Sequence, residues 1–453
     1  MARFAEKLFA ACAIVLGLCS EVSAQGVPRA ETTSSTTLFQ NVRIFNGRDL
    51  SLSAPSNVLV TGNLITRISA AAIDTDATTI VVVGGGRILM PGLIDAHWHS
   101  LFAGVGFADA LTGDMGYLNI VAGKVAEATL MSGFTTVRDM GGPAFGLKRA
   151  IDAGIIAGPR IFPSGAMITQ TSGHGDFRQL TEIPREPNAP LSHMERSGGS
   201  AVADGADEVL RRVREQLMLG ASQIKLTAGG GVASPHSPLD VSAFTAAELR
   251  AAVEAADAWG TYVAVHAYTP RAIQAAIEAG VKCVEHGHLM DEASAKMMSD
   301  RGIWLSTQPF VDDAPNPQLP PDSQAQKLQV AAGTNRVYEL ARKYRLKTAF
   351  GTDVLFDARS AAKQGALLAE LIRWYTPAEV LAQATGSNGE LLALSGLRSP
   401  YAGKLGVVEE AALADLILVD GNPLDDIRIV ADPAKNFVVI MKDGKIYKNS
   451  LGR

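Results

Sequence analysis

The hydrophobic positions of the chain follow one pattern at its two ends and another in its middle. Near the N-terminus, apolar and polar residues alternate in short segments separated by Gly, Asn and Asp, namely Leu38–Phe45, Asn57–Val60, Leu64–Ile68 and Thr79–Val83. The alternation returns near the C-terminus in Leu413–Val419, Phe437–Met441 and Lys445–Tyr447. These segments predict β-strands joined by turns. Because they enclose a different middle, we predict one small β-sandwich assembled from both ends of the chain.

The middle of the chain alternates short apolar strands with amphipathic helices. The predicted strands are Leu89–Ala96, Thr135–Arg138, Arg160–Ser164, Ser222–Leu226, Tyr262–Val265, Cys283–Glu285, Trp304–Thr307 and Thr348–Phe350. The helices include Ala206–Leu219, Pro270–Ala279 and Ala246–Trp259, the last with Thr245 and Glu248 as a capping box. Eight strand-then-helix units favour the α/β class and a (β/α)8 barrel, whose active site lies at the carboxyl ends of its strands. The Pro- and Asp-rich loop Asp312–Ser323 interrupts the pattern and is a candidate lid.

The first 24 residues have the pattern of a secretory signal peptide. Arg3 and Lys7 accompany an apolar run, Leu8–Leu18, and Val22-Ser23-Ala24 has the small residues of a cleavage site. The apolar run is too short to cross a bilayer. We therefore predict a periplasmic or secreted protein with no membrane association once the signal is removed. The predicted organisation is a signal at 1–24, sandwich at 25–88, barrel at 89–400 and sandwich again at 401–453.

Composition and charge restrict the classes of function. The 453 residues are 47% hydrophobic and include 44 glycines, which is typical of a globular, loop-rich enzyme and not of a disordered chain. A net charge of −5 gives no support for binding nucleic acid or an anionic membrane. Cys12 and Cys19 lie in the predicted signal, so that Cys283 alone would remain and could form no intramolecular disulfide. We expect a small-molecule substrate and a homo-oligomer.

Side chains that bind metals follow several of the predicted barrel strands. His97 and His99 are two residues apart at the end of the first strand, so both imidazoles point to the same face. His266, His286 and Asp353 end the fifth, sixth and eighth strands. A lone His-x-His pair is more often two ordinary polar residues. Five potential ligands at one end of a barrel instead predict a divalent-metal site.

Lys225 ends the fourth predicted strand, at the same end of the barrel. As an ammonium it would repel a metal, and burial disfavours the charged form of a lysine. As a neutral amine it can react with carbon dioxide to form a carbamate, whose oxygens can bridge two cations. A salt-bridged lysine is the ordinary alternative at a strand end, and the surrounding ligands favour the carbamate here.

This ordered set of residues resembles the amidohydrolase superfamily, and in particular its binuclear branch with a carboxylated lysine. The flanks Ile-Lys-Leu-Thr-Ala-Gly-Gly-Gly, Val-His-Ala-Tyr-Thr-Pro, Val-Glu-His-Gly-His and Phe-Gly-Thr-Asp are similar to the subgroup related to Xaa-Pro dipeptidases and imidazolonepropionases. Within that subgroup, the chain also resembles bacterial amidohydrolases that split ochratoxin A into its isocoumarin acid and phenylalanine. The resemblance covers nearly the whole mature chain.

The resemblance implies two divalent metal ions, with zinc as the default for nitrogen-rich ligands. The more buried ion would be held by His97, His99 and Asp353, and the more exposed ion by His266 and His286. Carboxylated Lys225 and a hydroxide would bridge the two ions. Asp353 would accept the proton of the hydroxide and deliver it to the leaving amine, which makes Asp353 and Lys225 the candidate catalytic residues.

Three further residues are candidate substrate contacts. His174 follows the third strand, and a loop-capping role is its alternative. Tyr268 resembles the position whose hydroxyl holds the substrate carboxylate in related dipeptidases, and an ordinary packed tyrosine is its alternative. His288 lies beside His286 and could equally support that residue from behind. Trp98, Phe102, Phe107 and Phe310 provide apolar surface for a hydrophobic or aromatic substrate group.

The resemblance implies hydrolysis of a linear amide, either an N-acyl amino acid or a dipeptide, with release of an apolar or aromatic C-terminal residue. Ochratoxin A would be among the substrates. An Xaa-Pro dipeptidase, a cyclic-amide hydrolase similar to imidazolonepropionase, and a deaminase are the catalytic alternatives. The mononuclear relatives generally lack a lysine ligand after the fourth strand, so Lys225 counts against the last two. An inactive scaffold on the same fold usually lacks some ligands, and this sequence has them all.

Overall fold

The computed structural model describes residues 35–185, 189–311 and 321–452. These residues form a barrel of parallel strands surrounded by helices, together with a sheet domain built by both ends of the chain. The predicted signal peptide, with Cys12 and Cys19, lies outside the described residues, as does most of the candidate lid. Among the residues described, none of the helices is long and apolar enough to span a bilayer.

The strands and helices are numbered in chain order. The strands are β1 (Thr36–Ile44), β2 (Ser56–Thr61), β3 (Leu64–Ser69), β4 (Ile80–Val83), β5 (Ile88–Pro91), β6 (Leu93–Trp98), β7 (Phe134–Asp139), β8 (Arg160–Pro163), β9 (Met167–Thr169), β10 (Ser200–Val202), β11 (Ile224–Thr227), β12 (Val263–Ala267), β13 (Cys283–His286), β14 (Trp304–Thr307), β15 (Lys347–Phe350), β16 (Leu416–Val419), β17 (Phe437–Lys442) and β18 (Lys445–Asn449). The α-helices are α1 (Phe107–Thr112), α2 (Met115–Met131), α3 (Phe145–Asp152), α4 (His193–Arg196), α5 (Ala206–Leu219), α6 (Ala246–Ala258), α7 (Pro270–Ala279), α8 (Glu292–Arg301), α9 (Pro321–Lys343), α10 (Ala358–Ala361), α11 (Gln364–Ala369), α12 (Pro377–Ala382), α13 (Asn388–Ala393) and α14 (Pro433–Asn436).

Strands from both ends of the chain form one sheet, in the order β18-β17-β16-β5-β1-β2-β3, with β4 beside β1. Strand β1 joins the two halves, because its first part pairs with β2 and β4 and its last residues pair with β5. Apolar side chains from both halves, among them Phe39, Leu89, Leu416 and Val439, share one core. The prediction of a β domain built from both chain ends is confirmed, and the strands of the predicted β-sandwich are joined in one continuous sheet.

The first predicted barrel strand, Leu89–Ala96, is wrong in its extent, because the structure has two strands there. Strand β5 pairs with β1 and β16 in the sheet domain, whereas β6 pairs with β7 in the barrel. Gly92 separates them, and a Cβ atom at this position would lie 2.1 Å from Thr135 Oγ1. The hydrophobic pattern could not reveal the change of sheet, because every residue of both strands is buried.

The remaining predicted barrel strands overlap the observed ones. The third barrel strand is interrupted, since β8 pairs with β7 and β9 pairs with β11. The fourth to eighth barrel strands, β11 to β15, are parallel neighbours in sequence order. Between β15 and β6 the barrel closes partly through side chains: Asn388 Nδ2 donates to the carbonyls of Ile94 (2.7 Å) and Phe350 (2.8 Å). This closure brings the carboxyl ends of the first and eighth barrel strands together.

Helix ends agree with the sequence at one place and differ at another. Thr245 and Glu248 form the predicted capping box at the start of α6. Helix α9 begins at Pro321, so Ser323 belongs to a helix and not to the predicted loop. A proline is well tolerated in the first turn of a helix, and for this reason the Pro-rich composition did not mark the boundary.

Candidate metal centre

The predicted ligand positions lie together at the carboxyl ends of the barrel strands. His97 is in β6, with His99 directly after it, and the four others lie in or after β11, β12, β13 and β15: Lys225, His266, His286 and Asp353. The four histidines and the lysine are each at most 3% exposed, and the side chain of Asp353 is 20% exposed. All six residues line one cavity of about 680 Å³.

The tightest part of this cluster contains His97, His286 and Asp353, whose potential ligand atoms all lie within 4.8 Å of one another. Asp353 Oδ1 lies 3.2 Å from His97 Nε2 and 3.1 Å from His99 Nε2. The ring of His266 lies 4.4 Å from that of His286, measured between centroids. Converging imidazole nitrogens and a carboxylate are the donor set that zinc and similar divalent metals prefer, so the residues present fit such an ion.

Lys225 is buried, and the carboxylates of Glu285 and Asp353 are close enough to act on its charge. Within residues 35–185, 189–311 and 321–452 its ammonium makes no hydrogen bond or ion pair. Burial lowers the pKa of this amine, because the charged form loses its hydration. Burial of an ammonium costs more than burial of a neutral amine, so the surroundings favour the neutral form of Lys225.

The buried ion pair of Glu285 and Arg138 sets the orientation of the His97 ring. His97 Nδ1 lies 2.8 Å from Glu285 Oε2, and the other carboxylate oxygen accepts from Arg138 Nη2 at 2.7 Å. Arg138 Nε also donates to the carbonyl of Ala96 at 2.6 Å. Burial acts to raise the pKa of Glu285, but Arg138 and His97 outweigh it and hold this pKa well below its usual range. Glu285 is therefore an ionised acceptor, and Nε2 of His97 is the nitrogen that faces Asp353.

The other three rings are each held through one nitrogen, which leaves the second nitrogen for a ligand. The partners are Gly141 O for His99 Nδ1 (2.9 Å), Gly230 O for His266 Nε2 (2.8 Å) and Gln308 Oε1 for His286 Nδ1 (2.7 Å). Burial lowers the pKa of His97 to about 4 and moves those of His266 and His286 well below their usual value. For these three residues burial therefore favours the neutral form of the imidazole, which metal ligation requires.

Asp95 accepts hydrogen bonds both from the His-x-His motif and from Thr352, the residue that precedes Asp353. Its Oδ1 accepts from the backbone NH groups of His97 (3.0 Å) and Thr352 (3.1 Å), and its Oδ2 accepts from Thr352 Oγ1 at 2.7 Å. Burial raises the pKa of Asp95 to about 6 in spite of these bonds. The backbone of Asp353 itself donates to His97 O at 2.8 Å. The two ends of the ligand set are therefore fixed relative to each other.

The backbone at two of the ligand positions is strained. His286 has φ +76° and Asp353 has φ +55°, a left-handed region that residues other than glycine rarely adopt. Such conformations persist where the surrounding structure imposes them, and they cluster at functional sites.

Burial acts to raise the pKa of Asp353, but the neighbouring His97 and His99 outweigh it and hold the pKa well below its usual range.

The three candidate substrate contacts differ in their surroundings. His174 lines the cavity and stacks on His266 with centroids 4.2 Å apart, and its buried Nδ1 has no hydrogen-bond partner among the described atoms. Tyr268 lines the cavity beside His266 and His286, at 4.9 and 5.0 Å between centroids. His288 donates from Nε2 to the carbonyl of Gln308 at 2.9 Å and does not reach the described cavity lining. Contact between His288 and a substrate stays a prediction, and its position favours support of the ligands.

Two of the four predicted apolar residues line the cavity. Phe107 and Phe310 do so, whereas Trp98 and Phe102 are fully buried in the core beneath it. Trp98 lies between His97 and His99, and successive residues of a strand point to opposite faces, so its ring turns away from the cavity.

Sequence reasoning did not single out Arg138 or Gln308. Arg138 is a charged residue in a strand whose residues are all buried, and a buried charge requires a partner. Gln308 directly follows β14 and so lies at the same end of the barrel as the ligands. Its polar side chain at a strand end was the available signal.

Known proteins of similar sequence and structure support this description. Residues 88–448 match the model of the amidohydrolase family. An ochratoxinase of Aspergillus niger is 32% identical over 381 residues, which cover 80% of this chain and 76% of that protein. The crystal structure of a prolidase complexed with N-methylphosphonate-L-proline has a TM-score of 0.83 and 33% identity, covering 92% of this chain and all of the other. The crystal structure of A. niger ochratoxinase has a TM-score of 0.79 and 26% identity, covering 92% and 96%.

Proposed function

Because the chain belongs to the amidohydrolase family, we propose that it is a metal-dependent hydrolase of N-acyl amino acids or dipeptides. It would release an apolar or aromatic C-terminal residue, and ochratoxin A is a candidate substrate. The observation that carries this proposal is the convergence of His97, His286 and Asp353 beside the buried Lys225 in one cavity. The similarity to an ochratoxinase and to a prolidase supports an amide next to a C-terminal residue as the bond that is cleaved.

The ligand atoms would hold two divalent ions, and zinc is expected from their nitrogen-rich composition. His97, His99 and Asp353 would bind the more buried ion, and His266 and His286 the more exposed one, with carboxylated Lys225 between them. When bound, such ions polarise the scissile carbonyl and make a water molecule acidic enough to attack at neutral pH. His99 and His286 each have a hydrogen-bonding partner at one ring nitrogen, which holds the ring in place and leaves the other nitrogen for an ion.

Asp353 would move the proton in this reaction. It is ionised, because its pKa lies well below the usual range, and its side chain is partly exposed to the cavity. An ionised carboxylate at this place can accept a proton from the attacking water and pass it to the leaving amine. The neighbouring His97 and His99 orient its Oδ1 atom through contacts of 3.2 and 3.1 Å.

Tyr268 and His174 would bind the carboxylate of the leaving residue. Both line the cavity and both contact the ring of His266, on the side of the more exposed ion. A hydroxyl donor at this position would distinguish a free C-terminal carboxylate from an amide. An Xaa-Pro dipeptidase is a second candidate, favoured by the similarity to a prolidase.

A substrate panel with a parallel metal analysis tests the proposal. The panel contains N-acyl-phenylalanine, N-acyl-leucine, Xaa-Pro dipeptides, the matching C-terminal amides and a cyclic amide. We expect close to two transition-metal ions per chain and hydrolysis of the free acids in preference to the amides. A fully active preparation with one ion would contradict the two-metal centre. Equal rates on acids and amides would show that the carboxylate is not recognised and would favour a cyclic-amide hydrolase.

A further inference from the structure

The side chain of Gln308 lies between two of the candidate ligands, His97 and His286. Gln308 follows β14 and is fully buried at the end of the barrel that contains the ligands. Its Oε1 lies 2.7 Å from His286 Nδ1, and its Nε2 lies 3.5 Å from His97 Nδ1. The rings of the two histidines are 5.0 Å apart, measured between centroids. A single side-chain amide therefore contacts one histidine of each of the two proposed ions.

The orientation of this amide follows from a neighbouring backbone carbonyl. Gln308 Nε2 lies 3.4 Å from the carbonyl oxygen of Ser306, which can only accept a hydrogen bond. The NH2 end of the amide therefore faces Ser306, and its oxygen faces His286. Because an amide oxygen can also only accept, His286 must donate from Nδ1. In a neutral imidazole this leaves the lone pair on Nε2, so Nε2 is the nitrogen of His286 that is available to an ion.

The backbone of Gln308 is held in place by hydrogen bonds of its own. Its carbonyl accepts from His288 Nε2 at 2.9 Å and from the backbone NH of Phe310 at 2.9 Å. The ring of His288 is stacked on the ring of Phe310, with centroids 4.9 Å apart. His288 therefore supports His286 through Gln308, which gives a role to a histidine outside the described cavity lining.

The group behind His286 differs from the groups behind the other histidine ligands. Two of those ligands are held by backbone carbonyls, which no side-chain substitution removes. His97 lies against the ionised carboxylate of Glu285, with 2.8 Å between Nδ1 and Oε2. A carboxylate behind a ligand histidine raises the basicity of the ring, whereas an uncharged amide fixes its tautomer and orientation. The contribution of Gln308 is therefore one of geometry, and it can be removed by substitution.

We propose that Gln308 is a positioning residue, which fixes the ligand nitrogen of His286 and so determines how tightly the more exposed ion is bound. The assignment of His286 to that ion rests on the proposed function. Loss of the amide oxygen would leave the Nδ1–H group buried without an acceptor and would allow the ring to turn or to change tautomer. Binding of the more exposed ion would then weaken, whereas the ion held by His97, His99 and Asp353 would keep its ligands.

The test compares substitutions that remove or keep the accepting oxygen. Gln308→Met keeps the length of the side chain but removes the acceptor, whereas Gln308→Glu keeps an oxygen that can accept from His286. Gln216→Met is the matched control, because Gln216 is also buried and its Oε1 accepts from the backbone NH of Ala166 at 2.9 Å, between α5 and the residues before β9. A thermal melt shows that each variant is folded.

Two readouts are taken from each zinc-loaded protein. Competition with a chelator gives the dissociation constants of the two ions, and isotopically labelled histidine gives the NMR signals of the ring N–H groups. In Gln308→Met, we expect the constant of one ion to rise by about 10–100-fold, the usual effect of removing a group behind a ligand, and that of the other to change little. One Nδ1–H signal should lose the downfield shift of a buried hydrogen bond. Gln308→Glu and Gln216→Met should keep that shift and both constants.

His288→Phe keeps a ring beside Phe310 but removes the donor to the carbonyl of Gln308. It should weaken the same ion by a smaller but measurable factor, and it provides a second test should Gln308→Met not fold. Equal weakening of both ions, unchanged constants in either of these two variants, or a Gln308→Glu variant as weak as Gln308→Met would overturn the role of Gln308. A single ion in the wild type would contradict the two-metal centre of the proposed function, while the Nδ1–H signal would still decide on Gln308.

Discussion

His99 Nε2 lies 3.1 Å from Asp353 Oδ1, although 254 positions separate the two residues in the chain. One follows the first barrel strand and the other follows the eighth, and they meet because the barrel closes between these strands. The hydrogen bonds of Asn388 and Asp95 across this closure hold them in place. The contact between these two candidate ligands therefore depends on the closure of the barrel between its first and eighth strands.

Replacement of Asp353 by asparagine tests its role in proton transfer. Asp353→Asn keeps the shape of the side chain but removes the base, so we expect turnover to fall by about 10² or more. Much of the metal should remain bound, because the histidine ligands are unchanged. Turnover is measured on N-acyl-phenylalanine together with the metal content of the same sample. Near-normal turnover in a folded, metal-loaded variant would dismiss the role.

Replacement of Lys225 tests the bridging carbamate. Lys225→Ala should lose activity, and short carboxylic acids added to the assay should restore part of it by supplying a substitute anionic ligand. Lys442→Ala is the matched control, because Lys442 is also a buried lysine but donates to Gly158 O at 2.8 Å, in the sheet domain. Carboxylic acids should leave the activity of that control unchanged. Failure of every acid to rescue Lys225→Ala would count against the carbamate.

The buried pair of Arg138 and Glu285 predicts a strong coupling in stability. Glu285→Gln leaves the guanidinium of Arg138 buried without its counter-charge, and we expect the free energy of unfolding to fall by about 3–5 kcal/mol. The double variant with Arg138→Met removes both charges and should recover part of this loss. Urea unfolding of the metal-free proteins provides the measurement. Additive losses in the double variant would show that the two residues are not coupled.

The hydroxyl of Tyr268 predicts a preference for substrates with a free carboxylate. In Tyr268→Phe, kcat/KM for N-acyl-phenylalanine should fall by the equivalent of about 1.5–3 kcal/mol, the scale of a hydrogen bond to a charged group. The rate on the matching C-terminal amide should change little, so the ratio of the two rates is the quantity to measure. An unchanged ratio would show that a residue other than Tyr268 binds the substrate carboxylate.

The ion pairs of Arg160 predict a stability that depends on acid pH. Arg160 joins the barrel to the sheet domain through Asp415 (2.9 Å) and Asp443 (2.6 Å). Burial acts to raise the pKa of Asp443, but Arg160 outweighs it, so this pKa is lowered on folding. The stabilisation is therefore fully present above the ordinary value of 3.8 and is lost as the pH falls through the lower pKa of the folded state.

Arg160→Met should accordingly lower the free energy of unfolding at pH 7 by about 3–5 kcal/mol, because Asp415 is left buried without its partner. The difference from wild type should shrink at acid pH, as Asp443 becomes protonated in both states. Arg428→Met removes an exposed ion pair with Asp426 and should have no measurable effect. A pH-independent difference for Arg160→Met would contradict the linkage.

Much of this architecture could be predicted from the sequence because the information is local. Alternating apolar residues mark the strands of the sheet domain, and short apolar runs followed by amphipathic helices mark the barrel. Since the active end of such a barrel collects the residues that follow each strand, the positions of His97, Lys225 and Asp353 relative to their strands were enough to place them together.

Other features of the protein could be determined only from the tertiary structure, because they depend on contacts between segments that are distant in the chain. The apolar run around Gly92 changes from one sheet to another, and nothing in its periodicity marks the change, because both strands are buried on both faces. The same holds for the pairing of Arg138 with Glu285 and for the contact of Gln308 with His286. Strand periodicity determines which way a side chain points, but the partner that it meets there is determined by how the barrel closes.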